Sequence, residues 1–468
     1  MAITAENSGG AFLPGGSAAY SPGGTYKVPG YVVTEHFFKV PLDHSGKTPG
    51  EISVFAREVC APNKTQQQLP YLVYMQGGPG FSATLPIDAG GWLRSATNYF
   101  KVILLDQRGT GRSAPISCKN LTRQGTPEQQ AEYLKFFRAD SIVQDCEMVR
   151  KALVSESNQG GRWSLLCQSF GGFCAVHYLS VAPQGLVEVM LAGGLPPLVS
   201  EQNPADDVYK VTFQKVIAQN EKFYKRYPQD VELVWDIVKF LASQPEGGVR
   251  LSSGSLLTPR SLQLLGCSAL GFAGGFDRLH FLLETVWDSE EKDEISCRFL
   301  KGYESWMAWE TNPLYVLLHE PIYTQGPGTN WAAHRVRTNH LKSQFDAVEC
   351  AQEGRPVFFT GEMVFPWMLD DFKELGRVKE AANLVQSVND WGTLYDLDIL
   401  KNNTVPVASI TYYEDMFVNF DLAQQTAQHI QGIRQWVTNE YAHSGIRDDG
   451  ARIFEKLLGM ARDTILLS

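Results

Sequence analysis

The sequence predicts an α/β protein: a mostly parallel central sheet flanked by helices, with one large, mainly helical insertion. Three observations carry that expectation. Short, nearly unbroken apolar runs recur at 71–75, 102–105, 163–166 and 187–191, each bounded by polar or glycine-rich sequence, which suits strands covered on both faces. A helical pattern at about 127–154 lies between two of these runs, the alternation expected of a sheet with crossover helices. From about 196 to 355 the texture changes: helical periodicity dominates and no buried-strand run appears.

In chain order, the first 30 residues begin Met1-Ala-Ile-Thr-Ala-Glu-Asn-Ser and continue rich in Gly, Ser and Pro; they are expected to form a flexible arm. Tyr31-Val-Val-Thr-Glu-His-Phe-Phe-Lys-Val40 and Glu51-Ile-Ser-Val-Phe-Ala-Arg-Glu-Val59 alternate apolar and polar side chains, the pattern of antiparallel strands at one edge of a sheet. With the four apolar runs they make the first part of the core, 31–197. The insertion, 198–354, carries helical patterns at 208–227, 231–241 and 261–270, and five of the ten tryptophans. Strand-like runs return at 356–360 and 405–412, opening the second part of the core, 355–468. No internal repeat is present.

The 468 residues carry a formal net charge of −10, with 44% hydrophobic and 20% charged residues. Without a Lys/Arg cluster, this balance argues against nucleic acid as a partner. No run of eighteen apolar residues occurs, so no membrane span is expected. The start lacks the basic and apolar regions of a secretory signal. The eight cysteines are scattered without a C-x-x-C pair. A reduced, cytoplasmic set of thiols is the expectation. Neither metal nor organic cofactor is called for.

Chemistry concentrates in Trp163-Ser-Leu-Leu-Cys-Gln-Ser169-Phe-Gly-Gly172. An apolar strand runs into a tight turn with Ser169 at its apex, and a helix leaves from Gly171, which is the context of a nucleophile elbow. The turn aims the Phe170 N–H and the helix N-terminus at a developing oxyanion. Gln76-Gly-Gly-Pro-Gly80 follows another buried strand, and Gly78 is the expected second oxyanion donor. Asp106-Gln-Arg-Gly-Thr-Gly-Arg-Ser113 is expected to brace these loops.

A serine nucleophile needs a base and an acid that orients it. In this arrangement the chain order is Ser, acid, His, so both partners must follow the insertion. His429 falls inside a helical pattern, whereas His443 lies in a loop after the strand-like run at 433–437. Asp415 lies just past the run at 405–412, with Glu414 and Asp421 as less well-placed alternatives. The expected triad is Ser169, Asp415 and His443.

Together, Gln76-Gly-Gly-Pro-Gly80, Asp106-Gln-Arg-Gly-Thr-Gly111, Gln168-Ser-Phe-Gly-Gly172 and the Asp415 and His443 segments resemble the prolyl aminopeptidase (proline iminopeptidase) family of α/β-hydrolases, in its larger form with an extended cap. Arg138-Ala-Asp-Ser-Ile-Val-Gln-Asp-Cys-Glu147 looks like the helix before the elbow in that family. The resemblance runs from about residue 33 to the C-terminus and is weakest within the cap. It implies a serine exopeptidase that releases N-terminal proline from peptides. It also implies carboxylates for the free amine, matched by Glu320 in Leu318-His-Glu-Pro-Ile-Tyr323 and Glu362 in Phe359-Thr-Gly-Glu-Met363. Gln76 and Cys167 stand where many members have His and Gly. An esterase or amidase acting on a small acyl substrate, or a non-catalytic binding protein, would use the same fold. Nothing in the sequence sets the oligomeric state.

Overall fold

The computed structural model describes residues 18–85, 91–198 and 204–465. Strands β1 (Ala19–Val28), β2 (Tyr31–Pro41) and β3 (Glu51–Cys60) form an antiparallel edge. β4 (Tyr71–Met75), β5 (Lys101–Asp106), β6 (Trp163–Gln168) and β7 (Leu186–Ala192) continue the sheet in parallel pairings. A two-residue ladder in the insertion joins β8 (Val249–Arg250) to β9 (Leu256–Leu257). β10 (Val407–Tyr412) pairs parallel with β7, and β11 (Ile433–Thr438) pairs parallel with β10. The nine-stranded sheet has the order β1-β2-β3-β5-β4-β6-β7-β10-β11. The chain is an α/β-hydrolase fold, its mostly parallel sheet carrying helices on both faces.

Why the central strands are apolar throughout is visible in β6, where every residue is buried. Leu165 faces the helices Ala139–Leu153 and Phe170–Val181, while its neighbour Leu166 faces Trp92, Phe454 and Leu457 on the opposite side. Successive side chains in a strand point to opposite faces. Each buried Leu contributes about 1.5–3 kcal/mol.

Two expectations give way here. The arm does not extend to residue 30: Ala19–Val28 is an edge strand paired with β2, while residues 1–17 lie outside the described set. Pro22 and Gly23-Gly24 sit at the irregular point of its register, between Pro22 and Thr25, which an edge strand tolerates because its outer face needs no ladder bonds. The run at 356–360 forms no strand and joins no sheet. Its backbone is satisfied by side chains of the insertion instead. Asn220 bonds both the N–H and the C=O of Phe359 at 2.8 Å, and Gln263 Nε2 donates to Phe358 O at 2.7 Å. Among the described residues, the main sheet therefore has no strand between Ala192 and Val407. Helices fill that interval, the longest being Pro204–Arg226 and Asp230–Ser243.

Two buried arginines brace the frame. Arg108 meets Asp145 at 2.7 Å through Nε and also donates to the carbonyls of Pro41, Leu42 and Phe136. Arg138 donates to Thr324 O and Gly392 O and stacks over Trp391, tying the helix before the elbow to segments beyond β7. No helix among the described residues is long and apolar enough to cross a membrane.

Candidate active site

Ser169 caps the helix Phe170–Val181 with φ 52° and ψ −124°. A non-glycine residue held there costs on the order of 1–3 kcal/mol, so the surroundings must enforce it. Ser169 N donates to Ala192 O on β7 at 3.1 Å, and Gly172 N donates back to Ser169 O at 2.7 Å. The neighbours must also be small. A Cβ on Gly171 would lie 2.1 Å from Met75 O, and one on Gly172 would lie 2.2 Å from Gly194 O. The glycines after Ser169 thus let β4 and the turn after β7 close on the serine from both sides.

His443 Nδ1 lies 2.7 Å from Asp415 Oδ2. The other oxygen, Oδ1, accepts from Phe417 N at 2.8 Å and Val418 N at 3.0 Å, so the carboxylate is fixed in rotation. The opposite ring nitrogen, Nε2, lies 3.5 Å from the side-chain nitrogen of Gln168, the residue before Ser169. Burial alone drives the His443 imidazole toward its neutral form. The charge and hydrogen bond of Asp415, with the charge of Glu362, outweigh it and raise the pKa above the ordinary value. A base strengthened by its carboxylate and oriented through Nδ1 results.

Ser169 and His443 open onto one cavity of about 550 Å³, together with Gln76, Gly77, Gly78 and Gln168 from the sheet side. Phe170 is the first residue of its helix, and such an N–H has no partner within the helix. The insertion side of the cavity presents Trp306, Trp309, Tyr315 and Cys267, and Glu362 completes it. Trp309 stacks on Tyr315 at 4.8 Å, and Tyr315 Oη donates to Glu362 Oε1 at 3.2 Å. Burial pushes the Glu362 carboxyl up to about 7, against the opposing charge of His443.

The two sequence-predicted carboxylates are placed differently. Glu362 lines the cavity, but the expectation that Glu320 faces it alongside is not met. Glu320 is fully buried and absent from the cavity wall. Its two oxygens accept from Ala332 N at 2.8 Å and Ala333 N at 3.0 Å, at the start of the helix Ala332–His340. Burial also raises its carboxyl, to about 7. Glu320 and Glu362 both raise the pKa of the buried Tyr209 and Tyr323 phenols, after burial itself.

Other details separate function from packing. Cys167 is buried within β6, where its side chain fills core rather than cavity. Gln76 lines the cavity and accepts from Tyr74 Oη at 2.7 Å. Of the five insertion tryptophans only Trp306 and Trp309 reach the cavity; Trp235 bonds Arg355 O, Trp331 bonds Asn383, and Trp287 packs on Phe240. Tyr315 and Cys267 carried no sequence signal, because only the fold brings them to Glu362. The bracing expected of 106–113 is present: Asp106 accepts from Ala83 N and Arg112 N, and Gln107 Nε2 donates to Gln76 O.

Comparison with known proteins places this geometry in context. A family model described as the alpha/beta hydrolase fold matches residues 70–260. The proline iminopeptidase of Aeromonas sobria is 43% identical over 439 residues, covering 94% of this chain and 98% of that protein. A proline iminopeptidase of Aspergillus aculeatus is 37% identical over 441 residues, covering 92% and 94% respectively. Among solved structures, the proline iminopeptidase of Mycobacterium smegmatis overlaps with a TM-score of 0.43 at 14% identity, covering 91% of this chain and 99% of that one.

Proposed function

The chain belongs to the proline iminopeptidase family of α/β-hydrolases, and from that premise we propose that it is a serine exopeptidase releasing N-terminal proline from peptides. The observation that carries this reading is the convergence on one cavity of a strained serine, a histidine paired with a buried aspartate, and a carboxylate.

Ser169 Oγ attacks the carbonyl of the first residue while His443 Nε2 takes its proton. Asp415 keeps Nδ1–H in place and stabilises the imidazolium that forms. The new C–O bond leaves a tetrahedral oxyanion, held by the Phe170 and Gly78 amides. Collapse breaks the C–N bond, His443 passes its proton to the departing amine, and a water molecule then hydrolyses the acyl-enzyme by the reverse proton path.

Glu362 receives the cationic imino group of the substrate. A half-buried carboxylate whose pKa stands near 7 is costly to ionise alone and favourable to ionise beside a cation. It therefore selects a free N-terminus. Glu320, with both oxygens taken by the start of the helix Ala332–His340, is left a structural part in this reading.

The test is hydrolysis of proline-naphthylamide beside its N-acetyl form, the alanine analogue and a p-nitrophenyl ester, with Ser169→Ala as control. Cleavage confined to the free-amine proline substrate supports the exopeptidase. Ester cleavage indifferent to the amine retains the triad and replaces the peptidase with an esterase. Failure of a fluorophosphonate probe to label Ser169 would point to a binding protein.

A further inference from the structure

Two arginines, Arg278 and Arg447, line the cavity beside Glu362 and His443. The two arginines are exposed, at the outer end. Arg278 lies 4.9 Å over the ring of Trp306, and Arg447 lies 4.9 Å over the ring of Phe272. Stacking of this kind fixes the plane of a guanidinium and leaves its N–H edge free to bond. Among the described residues, neither guanidinium has a carboxylate or hydrogen-bond partner. The nearest acids along the chain are already engaged: Asp277 pairs with Arg226 at 2.7 Å, and Asp448 accepts from Ser444 Oγ at 2.5 Å. Arg447 is close enough for its charge to act on the His443 imidazole and the Tyr74 phenol. It thus stands near the reacting atoms.

We propose that Arg278 and Arg447 clamp the free α-carboxylate of a short peptide, so that the enzyme's preferred substrates are di- and tripeptides beginning with proline. This rests on the exopeptidase reading above and narrows it. With the amine at Glu362, the chain beyond the scissile bond advances about 3.5 Å per residue toward the rim. The clamp takes a terminal carboxylate that stands one or two residues further on. A planar fork with several N–H donors matches that group in a way a single ammonium does not. In a chain of net charge −10, two basic side chains at the mouth also draw in the one end of a peptide that the rest of the surface repels.

The experiment compares kcat/KM for Pro-Ala, Pro-Ala-amide, a five-residue peptide beginning with proline, and proline-naphthylamide. Wild-type enzyme and the Arg278→Gln, Arg447→Gln and double variants are measured together. The expected result is a wild-type preference for Pro-Ala over its amide of about tenfold or more, lost in the double variant. Equal use of acid and amide by the wild type overturns the clamp. So does a preference that survives in the double variant, or a loss shared equally by acid, amide and naphthylamide, which would show the arginines acting only through His443. If the wild type cleaves none of the four, the exopeptidase reading itself fails, and the clamp with it.

Discussion

On the sheet side of the cavity, Ser169 is positioned by backbone: a bond to Ala192 O, a return bond from Gly172, and two glycines that admit neighbouring main chain. On the insertion side, Glu362 is positioned by side chains, through Tyr315 and the ring of Trp309 stacked behind it. Backbone placement is rigid and allows few substitutions. Side-chain placement can be retuned one residue at a time without disturbing the nucleophile. The sheet side therefore suits the invariant chemistry, and the insertion side suits the choice of substrate.

The sharpest way to break this comparison is at the triad. Asp415→Asn should lower kcat by about 10⁴-fold, and Ser169→Ala by at least as much. A Ser169→Ala/His443→Ala double variant should be no worse than either single change, measured with proline-naphthylamide. Independent, additive losses would mean the two residues do not act as a unit.

Next in size is the frame behind the serine. Arg108→Ala takes the guanidinium from buried Asp145 and leaves it only His44, at 2.8 Å, so it should cost about 3 kcal/mol of stability, the low end for breaking a buried pair. Denaturant unfolding measures it; a cost near zero would show that the sheet side is less constrained than its contacts imply.

On the insertion side, Glu362→Gln should cost about 30- to 100-fold in kcat/KM for free-amine substrates and leave ester hydrolysis far less affected. It should also shift the pH profile. His443 must be neutral to act as a base, so activity falls as pH drops through its raised pKa. Glu362 is one of the charges raising that value, and its removal should move the acidic limb to lower pH. A limb that stays or climbs contradicts the placement of Glu362. The smallest effect belongs to Trp309→Phe, which keeps a ring over Tyr315 and should raise KM by less than about tenfold.

The same division explains what could be read from the sequence. Ser169 and Asp415 each sit just past a strand-like run and His443 lies in the loop after the run at 433–437, so their chain positions point to the strand ends where the structure brings them together. Glu362 was legible only by resemblance, because nothing local distinguishes it from other acids. Glu320 shared that resemblance, yet the helix start at Ala332 occupies both of its oxygens, a contact made across twelve residues that no pattern announces. The strand-like run at 356–360 misled for a related reason: its apolar character is real, but Asn220 and Gln263 take the place of a neighbouring strand. β1 escaped notice because Ser21-Pro22-Gly23-Gly24 has the composition of a loop.

That same awkward composition at β1 has a colloidal consequence. Stripped of β1, the sheet would end on β2, a long strand whose unpaired amides and carbonyls could template association with another molecule. β1 covers that ladder and then presents a poor one of its own, interrupted at Pro22 and the two glycines. Removing residues 1–30 should therefore leave turnover per folded molecule intact while making the protein self-associate, as light scattering would show. The segment least like a strand serves as the selvedge that keeps the sheet from fraying into its neighbours.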